Sequence, residues 1–242
     1  MTKEVRLEYD GPIATITNDN VEKHNAFDDD MDQQLFAVLA ELKERPDVRA
    51  VIWRGEGKSF SSGRDVSAIG GGDVELTHHE LMARGHRGIL QVFDIEAPMI
   101  VAMHGWSIGA SFQRALLCDI RIAARTATFG YPELPIGIPP SYAAARAVLA
   151  PAVARELCLT GRVVDAAEAL VLGIVSEVCL DPALMTRALE LATEIAALPA
   201  AAQRETKRRI LLDGQRSWGA MFEEEERVFR AALLEGEPDP AA

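Results

Sequence analysis

Several short segments of the chain combine reactive residue types at spacings that recur in catalysis. Gly105-Trp106-Ser107-Ile108-Gly109 fits G-x-S-x-G, the elbow that presents a nucleophilic serine between a strand and a helix. A serine hydrolase of that kind places its histidine after the serine, whereas His24, His78, His79, His86 and His104 all precede Ser107. The hydrolase reading is therefore disfavoured. Gly57-Lys58-Ser59 imitates the end of a phosphate-binding loop, but the leading glycine of that motif would fall on Ile52. His78-His79-Glu80 lacks the second histidine of a zinc helix, so it reads as a solvated loop and no metal site is expected. Lys207-Arg208-Arg209 reads as a solvated helix face. Two glycine turns offer different chemistry. Ser62-Gly63-Arg64 and Gly109-Ala110-Ser111 would lead into helix N-termini, where backbone N–H groups lack intrahelical partners and can hold an oxyanion. Taken alone, both also read as tight turns.

The elements that must position these turns follow from hydrophobic period. Val5, Leu7 and Tyr9, then Asp10-Gly11, then Ile13, Thr15 and Thr17 read as a hairpin over 3–17. Acidic N-cap candidates precede Met31, Leu35, Val38, Leu39 and Leu42, which predicts an amphipathic helix ended by Pro46. Buried strands are predicted at 48–55, 98–103 and 118–124, with a glycine-rich loop at Gly70 to Gly72, a helix over 76–94 and a helix after Gly109. From Tyr142 onward the pattern is helical, save one short strand near 174–178. Leu184, Ala188, Leu191, Ile195 and Leu198 mark one apolar face, and Trp218, Phe222 and Phe229 another. The expectation is an α/β core over 1–198 and a helical C-terminal region over 199–242, with a disordered tail.

Composition narrows the partners. With 25 Lys+Arg against 37 Asp+Glu, the net charge of −12 disfavours nucleic acid and anionic membranes as main partners. No apolar run approaches the ~18 residues of a membrane span, and Cys118, Cys158 and Cys179 show no C-x-x-C spacing. A soluble, reduced, cytoplasmic protein without signal peptide or anchor is the expectation.

Five segments then occur in register: 21–27, 60–66, 104–113, Cys118-Asp119-Ile120-Arg121-Ile122-Ala123-Ala124, and Phe129-Gly130-Tyr131-Pro132-Glu133-Leu134 followed by Gly137-Ile138-Pro139. Together they resemble the enoyl-CoA hydratase/isomerase, or crotonase, family from about residue 5 to about 236. The resemblance implies an α/β fold, a spiral of strand-strand-helix turns with a helical C-terminal trimerisation region. Homotrimers or dimers of trimers would follow. It further implies an acyl-CoA substrate, no cofactor beyond the CoA that the substrate brings, and no metal. The backbone N–H groups of Arg64 and Ala110 would form the oxyanion hole, while Lys23, His24, Ala26, Ser62, Asp65 and Val66 would lie along CoA.

Typical hydratases of this family carry glutamates at the positions of both Gln113 and Glu133. Here only Glu133 can ionise, whereas Gln113 can orient water without taking its proton. One carboxylate suffices to move a proton between carbons, so hydration or double-bond isomerisation through an enolate is implied, with Glu133 as general acid/base. Hydration and cleavage of an aromatic acyl-CoA, or a catalytically weakened acyl-CoA-binding homologue, are the alternatives. Ser111, Phe112 and Arg114 also depart from the family pattern and are expected to narrow or polarise the acyl pocket. The chain stops soon after Glu235-Gly236, without the family tail that helps to close the CoA site.

Overall fold

Alternating apolar and β-branched residues and a glycine at φ 56° build the first element, a hairpin turning at Gly11. Its strands β1 (Glu4–Asp10) and β2 (Ile13–Asp19) pair antiparallel with Tyr9 opposite Ala14. The computed structural model describes residues 3–65, 67, 88, 90–136 and 138–234. Val66, the loop at Gly70 to Gly72, His78, His79, His86, Gly137 and the tail from 235 lie outside the described residues, as do the side chains of Trp218, Phe222 and Phe229. Of the helix predicted over 76–94, the described parts are Gly88, which is helical, and a 3-10 turn at Leu90–Asp94.

Four further strands extend the hairpin in parallel: β3 (Ala50–Gly55), β4 (Met99–Met103), β6 (Ile120–Ala124) and β9 (Glu177–Cys179), in the order β1-β2-β3-β4-β6-β9. Side chains alternate between the faces. Val51, Trp53, Met99, Val101 and Met103 enter the main core, while Ala50, Ile52, Ile100, Ala102 and Ile122 enter a second core. Covered on both sides, every residue of β4 is buried.

A smaller sheet of β5 (Trp106–Ile108), β7 (Thr128–Gly130) and β8 (Val163–Asp165) runs in the order β5-β7-β8. Single parallel rungs, Ser61 to Ser107 and Phe27 to Arg64, continue that layer towards the N-terminus. Each pass of the chain thus crosses the large sheet, turns, adds a rung or short strand to the small layer, and moves on. That is the predicted spiral. None of these three-residue strands was predicted, because three residues carry no readable period and long-range rungs decide their pairing. The strand expected at 174–178 lies at 177–179 instead.

Helix α1 (Asp29–Lys43) starts at Asp28, whose side chain accepts from the Met31 N–H at 3.2 Å, and it buries Met31, Leu35, Val38, Leu39 and Leu42 as predicted. Helix α2 (Ala110–Leu117) follows β5 through Gly109. Then come α3 (Tyr142–Val148), α4 (Pro151–Thr160), α5 (Ala166–Val171), α6 (Leu184–Ala196) and α7 (Ala200–Leu234). Helix α6 lays Leu184, Ala188 and Ala192 on the second face of the large sheet. Leu198, predicted on that stripe, falls past the helix end and is exposed. Lys207 corrects the reading of a solvated basic face: it is 4% exposed and bonds both Asp119 carboxylate oxygens, at 2.7 and 2.5 Å. Arg208 and Arg209 are exposed as predicted. No helix among the described residues is long and apolar enough to cross a membrane.

Candidate functional site

Asn25 holds the first turn of the site. It sits in the left-handed region at φ 56°, which asparagine tolerates better than most residues. Its side chain accepts from Asn20 N–H at 2.8 Å and donates to the carbonyls of Glu56 and Ser59 at 2.8 and 2.7 Å. These bonds fix the segment leading to Phe27. The Phe27 N–H donates to Gly63 O and its carbonyl accepts from Asp65 N–H, both at 2.8 Å, so Arg64 is held between two bonded neighbours. Gly63, at φ 89°, lies so close to the next segment that a Cβ there would stand 2.8 Å from Ile108 O and 3.3 Å from Ala110 N. The two glycine turns picked out from sequence are therefore neighbours in space.

Ala110 is the first residue of α2, so its N–H has no intrahelical acceptor. Among the described residues neither that group nor the Arg64 N–H donates a hydrogen bond. A hydroxyl pair ties the two arms together: Ser61 Oγ lies 2.5 Å from Ser111 Oγ and donates to Asn25 O at 2.6 Å. Two free donors on adjacent, braced segments are what an oxyanion site requires.

Glu133 lies in the turn after β7, beside the fully buried Tyr131. Its Oε2 is buried and has no hydrogen-bond partner among the described residues. The carboxylate rests against Gly109, where a Cβ would stand 3.3 Å from Oε2 and 3.5 Å from Oε1. Burial favours the neutral acid and pushes its pKa up to about 7. A carboxyl group so poised takes and returns a proton near neutral pH. Gln113 sits half-buried in the first turns of the same helix, its N–H donating to Gly109 O at 3.1 Å.

The residues predicted along CoA are also brought together, Val66 apart. Ser62 N–H donates to His24 O at 2.9 Å and its hydroxyl to Lys23 O at 3.1 Å. Lys23 Nζ bonds Asp65 Oδ2 at 2.6 Å, and Ala26 is buried with its N–H on Lys23 O. Burial pushes the Asp65 pKa up, but hydrogen bonds from Lys23 and Ser67 outweigh it and leave the group below the ordinary value. Sequence reasoning missed Trp106, 47% exposed and stacked on His24 at 4.5 Å between ring centroids. The aromatic type between Gly105 and Ser107 was its only signal.

Ser111, Phe112 and Arg114, expected to narrow or polarise the acyl pocket, are each held by packing or hydrogen bonds within the protein. Ser111 bonds Ser61, and Phe112 packs on Phe129 and Tyr131 at 5.9 and 5.2 Å. Arg114, 5% exposed, donates to Asp32 Oδ1 at 2.5 Å and lies 4.6 Å over the Phe27 ring. Asp32 went unnoticed as one acid among several at the start of α1. Its position inside the apolar stripe was the signal, since a buried charge demands a partner. Ser107 is fully buried in β5, and among the described residues its hydroxyl has no hydrogen-bond partner that could serve a hydrolase as base.

The sequence model of the Enoyl-CoA hydratase/isomerase family matches residues 8–235. A carnitinyl-CoA dehydratase of Citrobacter koseri is 35% identical over 199 residues, covering 81% of this chain and 75% of that protein. A probable enoyl-CoA hydratase of Mycobacterium tuberculosis is 30% identical over 240 residues, 96% of this chain and 91% of its own. The crystal structure of a probable enoyl-CoA hydratase from Mycobacterium smegmatis superposes with a TM-score of 0.82 at 27% identity, covering 96% of this chain and 98% of that one. The match spans both glycine turns, Glu133 and the spiral that sets them together: the chain belongs to the enoyl-CoA hydratase/isomerase family.

Proposed function

We propose that the protein adds water to, or removes it from, an acyl-CoA thioester through an enolate. The observation that carries this reading is Glu133, half-buried with its Oε2 shielded and its pKa pushed up to about 7, facing Gly109, the residue before a free helix N–H. In hydration, Glu133 takes a proton from a water held by Gln113 as the water oxygen bonds to the β-carbon. The double-bond electrons move towards the thioester oxygen, whose negative charge the N–H groups of Arg64 and Ala110 accept. Glu133 then returns the proton to the α-carbon, so one water is added and nothing is oxidised or reduced. No cofactor is needed beyond the CoA carried in by the substrate, which Lys23, His24, Ala26, Ser62, Asp65 and Val66 would hold.

The relatives named as a hydratase and a dehydratase favour water chemistry over isomerisation. Gln113 in place of an acid supports a second reading, a weakened homologue that binds acyl-CoA without turning it over. A homotrimer or dimer of trimers in the cytoplasm completes the proposal; the exposed Leu159 and Val171 would suit such an assembly. The test is a panel of 2-enoyl, 3-enoyl and hydroxycinnamoyl CoA thioesters, each followed by absorbance and mass. Gain of 18 mass units on a 2-enoyl thioester, abolished in Glu133→Gln, is the expected result. Binding without turnover by the wild type would favour the weakened homologue, and cleavage of the aromatic thioester the hydratase/lyase.

A further inference from the structure

The side chains of Arg64 and Arg114 converge on one carboxylate. Asp32 Oδ2 accepts from Arg64 Nη1 at 2.8 Å, and its Oδ1 accepts from Arg114 Nη2 at 2.5 Å. A second acid, Asp29, bonds the other Arg64 terminal nitrogen. All three side chains of the bridge are shielded, Asp32 at 7%, Arg64 at 11% and Arg114 at 6% exposure. Two cations and two anions cancel. Such a cluster is a poor means of stabilising a fold, because desolvation offsets much of the attraction and apolar packing does as well or better. It is also incomplete: among the described residues Arg64 Nε and Arg114 Nη1 are buried without acceptors. A costly and unsaturated network calls for a purpose other than stability.

Its placement supplies one. Arg64 carries the first free backbone N–H, and Arg114 sits one helical turn after Ala110, which carries the second, on the same face of α2. Among the described residues Asp32 is the one that accepts from both guanidinium groups. Phe27 backs the same pair, bonding either side of Arg64 through its main chain and lying under the Arg114 guanidinium. The rigid start of α1 therefore grips both arms of the oxyanion site at once. We propose that Asp32 is a positioning residue that sets the separation of the Arg64 and Ala110 N–H groups by holding Arg64 and Arg114 together. The inference rests on the reading of those N–H groups as enolate donors.

Misplacing a reacting group by about an ångström costs on the order of a hundredfold in rate. Asp32→Asn, which keeps the shape and removes the charge, is expected to lower kcat about ten- to a hundredfold with KM for the acyl-CoA within about threefold, since Asp32 is not itself among the residues proposed to hold CoA. The double variant Asp32→Leu/Arg114→Leu separates positioning from stability. Replacing the pair together with apolar side chains should preserve the melting temperature, as is common for buried pairs, while kcat stays low. A conjugated acyl-CoA bound in a Glu133→Gln background gives a reading that does not need turnover. Polarisation of its carbonyl by the two N–H groups shifts its absorption to longer wavelength, and either Asp32 variant should shrink that shift. Near wild-type kcat and an undiminished shift in a folded double variant would overturn the proposal. Wild-type protein that turns over no enoyl-CoA would overturn the functional reading and this proposal with it. An active wild type with unaffected Asp32 variants would overturn the positioning role alone.

Discussion

The Glu133 carboxylate faces Gly109 so closely that a Cβ at position 109 would stand 3.3 Å from Oε2 and 3.5 Å from Oε1. Through this approach Glu133 and the helix that offers the Ala110 N–H share one corner of the candidate site. Both facts of the corner, a bare Cα and an unpaired buried oxygen, bear on measurable behaviour.

Glu133→Gln keeps the volume and removes the ionisable group. Turnover should fall by about 10²–10⁴-fold, the usual worth of a positioned acid or base, while acyl-CoA binding by calorimetry is retained. An unchanged rate would remove Glu133 from the mechanism.

The same residue sets a pH dependence. Glu133 must begin as the carboxylate to take a proton, so kcat/KM should rise with a single ionisation near about 7. Stability runs the opposite way. Folding raises the pKa from 4.5 to about 7, so the stabilisation from holding the neutral acid is full below about pH 4.5 and is lost as pH rises through about 7. Urea unfolding of wild type and Glu133→Gln from pH 4 to 8 should show the wild type losing ground across that window and not above it.

Gly109→Ala is expected to cost activity before it costs the fold. The backbone there is at φ 58°, where alanine is strained by about 1–3 kcal/mol, and the new methyl would press on Glu133. A drop in kcat of about a hundredfold with KM little changed, measured beside the melting temperature, is the expected pattern.

Gln113→Glu adds the second acid. Steady-state hydration should rise about tenfold or more if water activation limits the rate, and the pH profile should acquire a second ionisation. A variant slower than wild type would show that one carboxylate is the working arrangement.

Lys207→Met strips Asp119 of its buried partner and should destabilise the fold by about 3 kcal/mol in denaturant titrations. The Asp119 carboxylate also accepts from the Met99 N–H at 2.7 Å, so the loss would be felt at the start of β4. Turnover per folded molecule should not change.

Local periodicity sufficed for the hairpin, the apolar stripe of α1 and the parallel strands β3, β4 and β6, because each is fixed by the burial of its own side chains. The two glycine turns and Glu133 were legible through their resemblance to family segments. Other features depend on partners far along the chain. The strands β5, β7 and β8 are three residues each and exist only because rungs such as Ser61 to Ser107 complete a layer. Arg114 departed visibly from the family pattern, but its pairing with Asp32, 82 positions away, could not be read from the sequence. The Glu133 side chain named the chemistry, but only tertiary burial beside Gly109 moved its titration towards neutrality. Sequence determined which residues could act and roughly which element carries each. Desolvation and long-range hydrogen bonds, which belong to the packed chain and to no single segment, decided which of them meet and in what state of charge.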